Sequence, residues 1–335
     1  MPHTADPLVS VVVCSYSTER LDDVKELLSA LGGQSYRRIE VVFVGERSRE
    51  ITETVEAHAR AKGMRNVQTV FNTGTPGLAA ARNLGVCHAR GDIIAFLDDD
   101  ALPFPDWARE LARTFADRPD VIGATGPALP LWQDGQGEWF PPEFQWIISC
   151  TGWFPTGETR EVRNAWGMNM AFRRNVFERC RFDERLGGNM GATDGAKLGL
   201  LGEDTAFSLE ARRQTGGSIV FNPAVRVRHK VYAYRFQTRF VRRRAFWEGY
   251  TKAWLRRRQG QDALPDRAGL ATEYRLLRRI ALGFLPAAIG GLATNPVRSW
   301  RRLSLAADAL IHVGLGYAAV LVPPLGRIMC KRYGQ

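Results

Sequence analysis

Short runs of β-branched and aliphatic residues alternate with helical patterns through the first hundred positions, as expected of βαβ units feeding a mostly parallel sheet. Leu8 to Cys14 reads as the first strand, and the stretch from Glu19 to Leu31 as a helix closed by Gly32-Gly33. Ile39 to Val44 is the second strand, and Arg49 to Lys62 a helix stopped by Gly63. Val67 to Phe71 is the third strand, Leu78 to Ala89 a helix ending before Gly91, and Ile93 to Leu97 a fully apolar fourth strand. The pattern predicts a doubly wound α/β domain.

Beyond the fourth strand come Asp98-Asp99-Asp100, a Pro-containing turn and a helix capped by Asp106. Regularity breaks between Trp132 and Thr159, where Trp139-Phe140-Pro141-Pro142-Glu143-Phe144-Gln145-Trp146 gathers aromatics and prolines. A Gly-rich stretch, Gly187 to Gly202, precedes a helix from Glu203 to Gln214; strands Ser218 to Phe221 and Val225 to Val227 then lead to His229. From Phe236 to Arg258 arginines interleave with aromatics, and apolar stretches follow at Ile280 to Ala293 and Leu303 to Leu325. The first is too short for a bilayer core and the second is interrupted by Asp308, His312 and Pro323-Pro324, so the reading is of helices lying in a membrane interface with arginines at the headgroups.

Charge sharpens that picture. The 335 residues carry a net +11, yet from Val231 to Gln335 there are 19 Lys and Arg against 5 Asp and Glu, leaving the remainder at −3. The basic character belongs to the tail, which seeks phosphates on anionic lipid or on nucleic acid. The adjacent apolar stretches favour lipid. Five scattered cysteines without a C-x-x-C pair suggest neither a disulfide framework nor a zinc site. With no signal-like leader, cytoplasmic residence is expected, peripheral or monotopic at the inner face of the membrane.

Four features carry candidate chemistry. The aspartate triplet follows a buried strand, where ligands bind in open α/β sheets, and carboxylates suit Mg²⁺ or Mn²⁺; the alternative is a solvated turn capping the next helix. Glu203-Asp204 opens a helix, where a carboxylate can act as general base or merely complement the helix dipole. His229 is either a metal ligand or a hydrogen-bonded strand-end residue. Arg82 is either a diphosphate clamp or a solvated helix residue.

In their order these features resemble the family 2 glycosyltransferases of the GT-A fold. The resemblance runs through Val9-Ser10-Val11-Val12-Val13-Cys14-Ser15-Tyr16, Ala81-Arg82-Asn83-x-Gly85, Gly91-Asp92 to Asp98-Asp99-Asp100, Gly167-Met168-Asn169-Met170-Ala171-Phe172-Arg173-Arg174, Gly202-Glu203-Asp204 and His229. It implies a mixed central sheet flanked by helices, with a GT-A catalytic domain over 1–232 and a basic, amphipathic helical region over 233–335. It also implies that Ser15, Tyr16 and Glu19 line the nucleotide pocket and that Arg82 approaches the diphosphate. Asp98 and Asp99 belong to the donor site, Asp98 and Asp100 form the D-x-D pair, and Asp100 with His229 binds metal. Asp204 is the base, with Glu203 beside it. Where the family has Asp-Asp-Gly-Ser, this chain has Gly45-Glu46-Arg47-Ser48, so the nucleobase contact is absent or moves to Glu46.

Pro142-Glu143-Phe144-Gln145-Trp146-Ile147-Ile148-Ser149-Cys150-Thr151, Glu161-Val162-Arg163-Asn164 and Phe246-Trp247-x-Gly249-Tyr250-x-Lys252 further resemble archaeal glucosyl-dolichyl-phosphate glucuronosyltransferases and their bacterial relatives. That resemblance implies an inverting, metal-dependent transfer of glucuronic acid or another hexose from a nucleotide sugar to a lipid-linked or other saccharide acceptor. Trp146 and Asn169 are assigned towards the acceptor, although the aromatic cluster also reads as a surface loop packed on the sheet. Two rival readings are a polyprenyl-phosphate sugar synthase and a protein binding nucleic acid through the basic aromatic tail. The second leaves the aspartates unexplained, and no nucleic-acid partner is expected.

Overall fold

The computed structural model describes residues 6–133, 135, 137–155, 157–187, 201–259 and 271–334. The chain divides into two compact units, the first built from 6–129, 157–187 and 203–229, the second from 130–155, 201–202 and 230–334.

In the first unit β1 (Val9–Ser15), β2 (Ile39–Gly45), β3 (Val67–Phe71) and β4 (Ile93–Asp98) pair in parallel, while α1 (Leu21–Gly32), α2 (Arg49–Ala61) and α3 (Leu78–His88) connect them. β1 and β2 are apolar almost throughout and buried, as befits parallel strands covered on both faces. α1 begins later than the sequence pattern implies. Ser17 accepts from the Glu19 amide and winds Thr18–Arg20 into a 3₁₀ turn before the α-helix starts.

After β4 come the short β5 (Ala101–Pro103), α4 (Trp107–Asp117), β6 (Val121–Thr125) and β7 (Ala128–Trp132); β8 (Arg160–Val162) and β9 (Asn169–Arg173) follow, then α5 (Glu203–Thr215), β10 (Ser218–Phe221) and β11 (Val227–Val231). The eight-stranded sheet has the order β3-β2-β1-β4-β9-β6-β10-β8. β9 runs antiparallel to both β4 and β6, which makes the sheet mixed. One core cluster fills the space between β1, β2, β4 and the helices, with Val11, Phe43, Leu27, Ala95 and Trp107 fully or almost fully buried.

Two local expectations are corrected. Asp106 sits at the start of α4 but makes no side-chain cap; its carboxylate lies 3.6 Å from Arg226. The strand expected at Val225–Val227 starts two residues later, because Val225 and Arg226 close a turn onto Asn222 and Ala224. β11 instead pairs antiparallel with β5, setting His229 opposite Ala101, so His229 lies within a strand and not after one.

The second unit is built around aromatic packing and helices. Pro142–Ile148 forms a 3₁₀ stretch closed by Ser149 in the left-handed region (φ 57°). Its Phe144, Ile147 and Ile148 pack with Val241, Phe284, Leu305 and Ala309. α6 (Thr238–Gln259) holds the interleaved arginines and aromatics. It is followed by α7 (Ala271–Arg279), a π-helical turn at Ile280–Phe284, α8 (Leu285–Gly290), α9 (Pro296–Leu321) and α10 (Pro323–Gly334). The apolar stretch expected at Leu303–Leu325 is therefore divided: Pro323 cannot continue the ladder of α9 and opens α10 instead. Asn295 caps α9 by accepting from the Arg298 amide. By length and composition α9 is the one helix among the described residues able to cross a membrane.

Candidate active site

Topology brings four separated segments to one end of the sheet in the first unit. β4 ends at Asp98 and turns through Asp99 and Asp100 into β5; β11 carries His229, α5 begins with Glu203 and Asp204, and α3 holds Arg82. Ligand atoms of Asp98, Asp100 and His229 all lie within 4.8 Å of one another, a grouping able to hold a metal ion. His229 Nε2 is 3.0 Å from Asp100 Oδ1 and 4.0 Å from Asp98 Oδ2. His229 and Asp100 are buried, whereas the Asp98 side chain keeps 34% of its surface exposed. Two carboxylates and an imidazole, closed on one side and open on the other, fit a divalent ion that completes its shell with water or substrate phosphate.

Arg82 is not the solvated helix residue of the alternative reading. Gly85 lets α3 press its backbone against Val12, and Ala79, Ala80 and Ala81 bury the same helix, so the arginine is carried inward to 3% exposure. Its Nη1 donates to Glu203 Oε1 at 2.7 Å, and its Nη2 to the Gly167 carbonyl at 3.2 Å and to Asp98 Oδ1 at 3.4 Å. Phe96 and Phe182 flank the guanidinium at 5.9 and 5.6 Å. Burial opposes its charge, but Glu203 and Asp98 more than offset this and hold its pKa above the ordinary value. Arg82 thus ties Glu203, beside Asp204, to the group of Asp98, Asp100 and His229.

Asp204 is fixed by backbone donors: Gly167 N reaches Oδ2 at 2.9 Å and Thr205 N reaches Oδ1 at 2.6 Å. Burial, and then the neighbouring Glu203 charge, push its pKa up to about 6. Burial and then Asp100 raise Asp99 to about 7, although its Oδ2 accepts from Ser15 Oγ at 2.6 Å. Asp98 is also raised, by burial first, with Arg82 opposing.

The remaining assigned residues scatter in role. Tyr16 is half-buried with the Arg47 guanidinium 5.2 Å from its ring, Glu19 is exposed, and the buried Glu46 accepts from Asn72 Nδ2 and Gly77 N. Asn169 is 1% exposed and its amide is spent internally, accepting from Trp107 Nε1 and donating to the Val225 carbonyl; it ties the sheet together and presents no face to an acceptor. Trp146 belongs to the second unit, partly buried against the aromatic cluster there. The Gly-rich segment before α5 lies mostly outside the described residues.

Sequence reasoning missed Arg20, whose Nη1 lies 3.2 Å from both Asp100 Oδ2 and Asp23 Oδ2. It also missed the two-sided role of Gly167, which donates to Asp204 and accepts from Arg82. Nothing in local pattern marks the contact of Arg20 with Asp100 or those of Gly167, since each joins residues more than 30 positions apart.

Comparison with known proteins agrees with this fold. The solved mannosyltransferase from Pyrobaculum calidifontis, in complex with GDP-Man and Mn²⁺, superposes with a TM-score of 0.60 at 20% identity, covering 94% of this chain and 88% of that one. The fold is therefore GT-A. The family model described as glycosyl transferase family 2 matches residues 10–181, and the chain belongs to that family. It is 32% identical over 245 residues to the glucosyl-dolichyl phosphate glucuronosyltransferase of Haloferax volcanii, covering 73% of this chain and 76% of that protein. It is also 26% identical over 255 residues to the succinoglycan biosynthesis protein ExoM of Rhizobium meliloti, 74% of each. The protein is a glycosyltransferase.

Proposed function

We propose that the protein is an inverting, divalent-metal-dependent glycosyltransferase that moves a hexose, glucuronic acid being the first candidate, from a nucleoside-diphosphate donor to a lipid-linked saccharide at a membrane surface. The observation that carries this reading is the Arg82 bridge. One buried guanidinium holds Glu203 beside the general-base candidate Asp204, and holds Asp98 beside Asp100 and His229.

In this mechanism Asp98, Asp100 and His229 would hold Mg²⁺ or Mn²⁺, which when bound would supply positive charge against that developing on the leaving diphosphate. Asp204, its two oxygens oriented by Gly167 N and Thr205 N, takes the proton from the acceptor hydroxyl as that oxygen attacks the anomeric carbon. Glu203 stays paired with Arg82 and keeps a negative charge beside Asp204, raising its basicity. No second carboxylate is assigned as nucleophile, so a single displacement inverts the anomeric centre. Ser15, through Asp99, and Tyr16 with Arg47 border the donor end. The lipid-linked acceptor draws support from the Haloferax volcanii relative and from the apolar helix α9.

The test is a panel of nucleotide sugars incubated with purified protein and Mn²⁺, read as nucleoside diphosphate released with and without lipid-linked monosaccharide. One donor should turn over, and release should stop on chelation. Metal-independent turnover would sink the assignment of the Asp98, Asp100 and His229 group.

A further inference from the structure

α9 has the length and composition of a transmembrane helix, but its neighbour within the second unit does not. α6 docks along it at very close range: a Cβ on Gly249 would fall on the Val313 carbonyl, and one on Gly316 on the Phe246 carbonyl. Arginines of α6 bind α9 at several levels. Arg242 Nε donates to Asp308 at 2.9 Å, Arg256 to the Tyr317 hydroxyl at 3.0 Å and Arg257 to the Val320 carbonyl at 3.2 Å. Asp308 and Val320 are about 18 Å apart along a helix rising 1.5 Å per residue, well inside a hydrocarbon core about 30 Å thick. Were α9 to cross a bilayer in this packing, those arginines would be drawn into the core, each weakening insertion by roughly 100-fold.

The other face of α9 is exposed and mostly apolar, interrupted by Ser304 and flanked near its start by Arg298 and Arg301. Val297, Trp300, Ala307, Ile311, Gly314 and Leu321 follow one another at helical spacings. Trp300 is 68% exposed and Ile311 58%, so this is not a buried core face. After Val322, α10 folds back along α9, with Gly326 against Ala319 and Tyr333 beside His312, and its Arg327, Lys331 and Arg332 line an open depression together with Ile328. A basic set of side chains beside an apolar stripe matches a bilayer whose headgroups carry negative charge.

We infer that α9 lies in the plane of an anionic membrane, burying the Val297–Leu321 stripe below the headgroups while α10 meets lipid phosphates, and that it does not cross. This deepens the membrane part of the proposed function and rests on it only for its biological purpose, because binding to lipid needs no donor or acceptor.

The experiment has two arms. In the first, full-length protein is floated with vesicles of phosphatidylglycerol and phosphatidylcholine, with vesicles of phosphatidylcholine alone, and with the variant Trp300→Glu/Ile311→Glu. Binding should need the anionic lipid and fall at least ~10-fold in the variant, whose circular dichroism and donor hydrolysis should match wild type because both side chains are exposed. Equal flotation of the variant would overturn the proposal, as would retention of an oligonucleotide with no flotation. In the second arm, cleavable tags are placed at both termini and protease is added to sealed membrane vesicles from expressing cells. An in-plane helix leaves both tags on one side, cleaved together or protected together, whereas cleavage of a single tag would mean that α9 crosses. A failed donor screen with intact flotation would count against the glycosyl-transfer reading alone.

Discussion

The two units use charge in opposite ways. In the first, Arg82, Asp98, Asp100, Glu203 and His229 crowd together largely out of water, each held by another member of the group. In the second, arginines mostly stay near the surface, and long apolar side chains such as Val297, Trp300 and Leu282 are exposed. A buried ion is tolerable only when paired and hydrogen-bonded, so the first arrangement is rigid and ready for developing charge. An exposed basic and apolar surface gains little until something covers it.

The contrast can be broken most severely at Asp204, the proposed base. Asp204→Asn should lower kcat by about 10²- to 10⁴-fold, the usual worth of general-base catalysis, while donor binding by calorimetry stays near wild type. Retained turnover would remove Asp204 from the mechanism. Asp204 has a raised pKa in the folded state, so its protonated form favours folding at low pH and that contribution is lost as pH rises towards about 6; chemical denaturation of the wild type against pH should show that decline.

Next in size is the bridge. Arg82→Ala leaves Glu203 and Asp98 without their cation and should cost about 3–5 kcal/mol by chemical denaturation. Arg242→Ala, which breaks a half-exposed pair with Asp308 in the second unit, should cost no more than about 1 kcal/mol. Similar losses at the two positions would erase the distinction drawn between the units' charges.

In the second unit, Gly316→Val would force a side chain onto the α6 backbone and should destabilise by about 1–3 kcal/mol or more. Gly314→Ala, whose Cβ would meet nothing, should change stability by well under that amount. The smallest effect is in pH. With Asp204 near 6 beside Glu203 and acting as the proposed base, kcat/KM should fall about tenfold per unit below that value and level off above it; a profile flat from pH 5 to 8 would show that a different group limits the rate.

Much of this protein was legible in its residues because the signals are local. The βαβ alternation reports which faces are buried, and β3 and β10 occupy the very residues read from pattern. The ordered motifs carried the family, and the uneven charge marked the tail. The environment of Arg82 was hidden, because its burial depends on Gly85 packing against Val12 and its partners lie far along the chain at Glu203 and Gly167. The position of His229 inside β11 was hidden likewise, since a strand as short as β5 becomes a partner only once the chain has folded back. Asp308, His312 and Pro323-Pro324 already spoke for an in-plane helix over a span, and the docking of α6 arginines along α9 adds a second argument that only tertiary structure supplies. Sequence alone determined which faces are apolar and which residue types are available for chemistry. Tertiary structure decided which charges meet, because pairing depends on distance in space, and folding brings together residues separated by tens to more than a hundred positions.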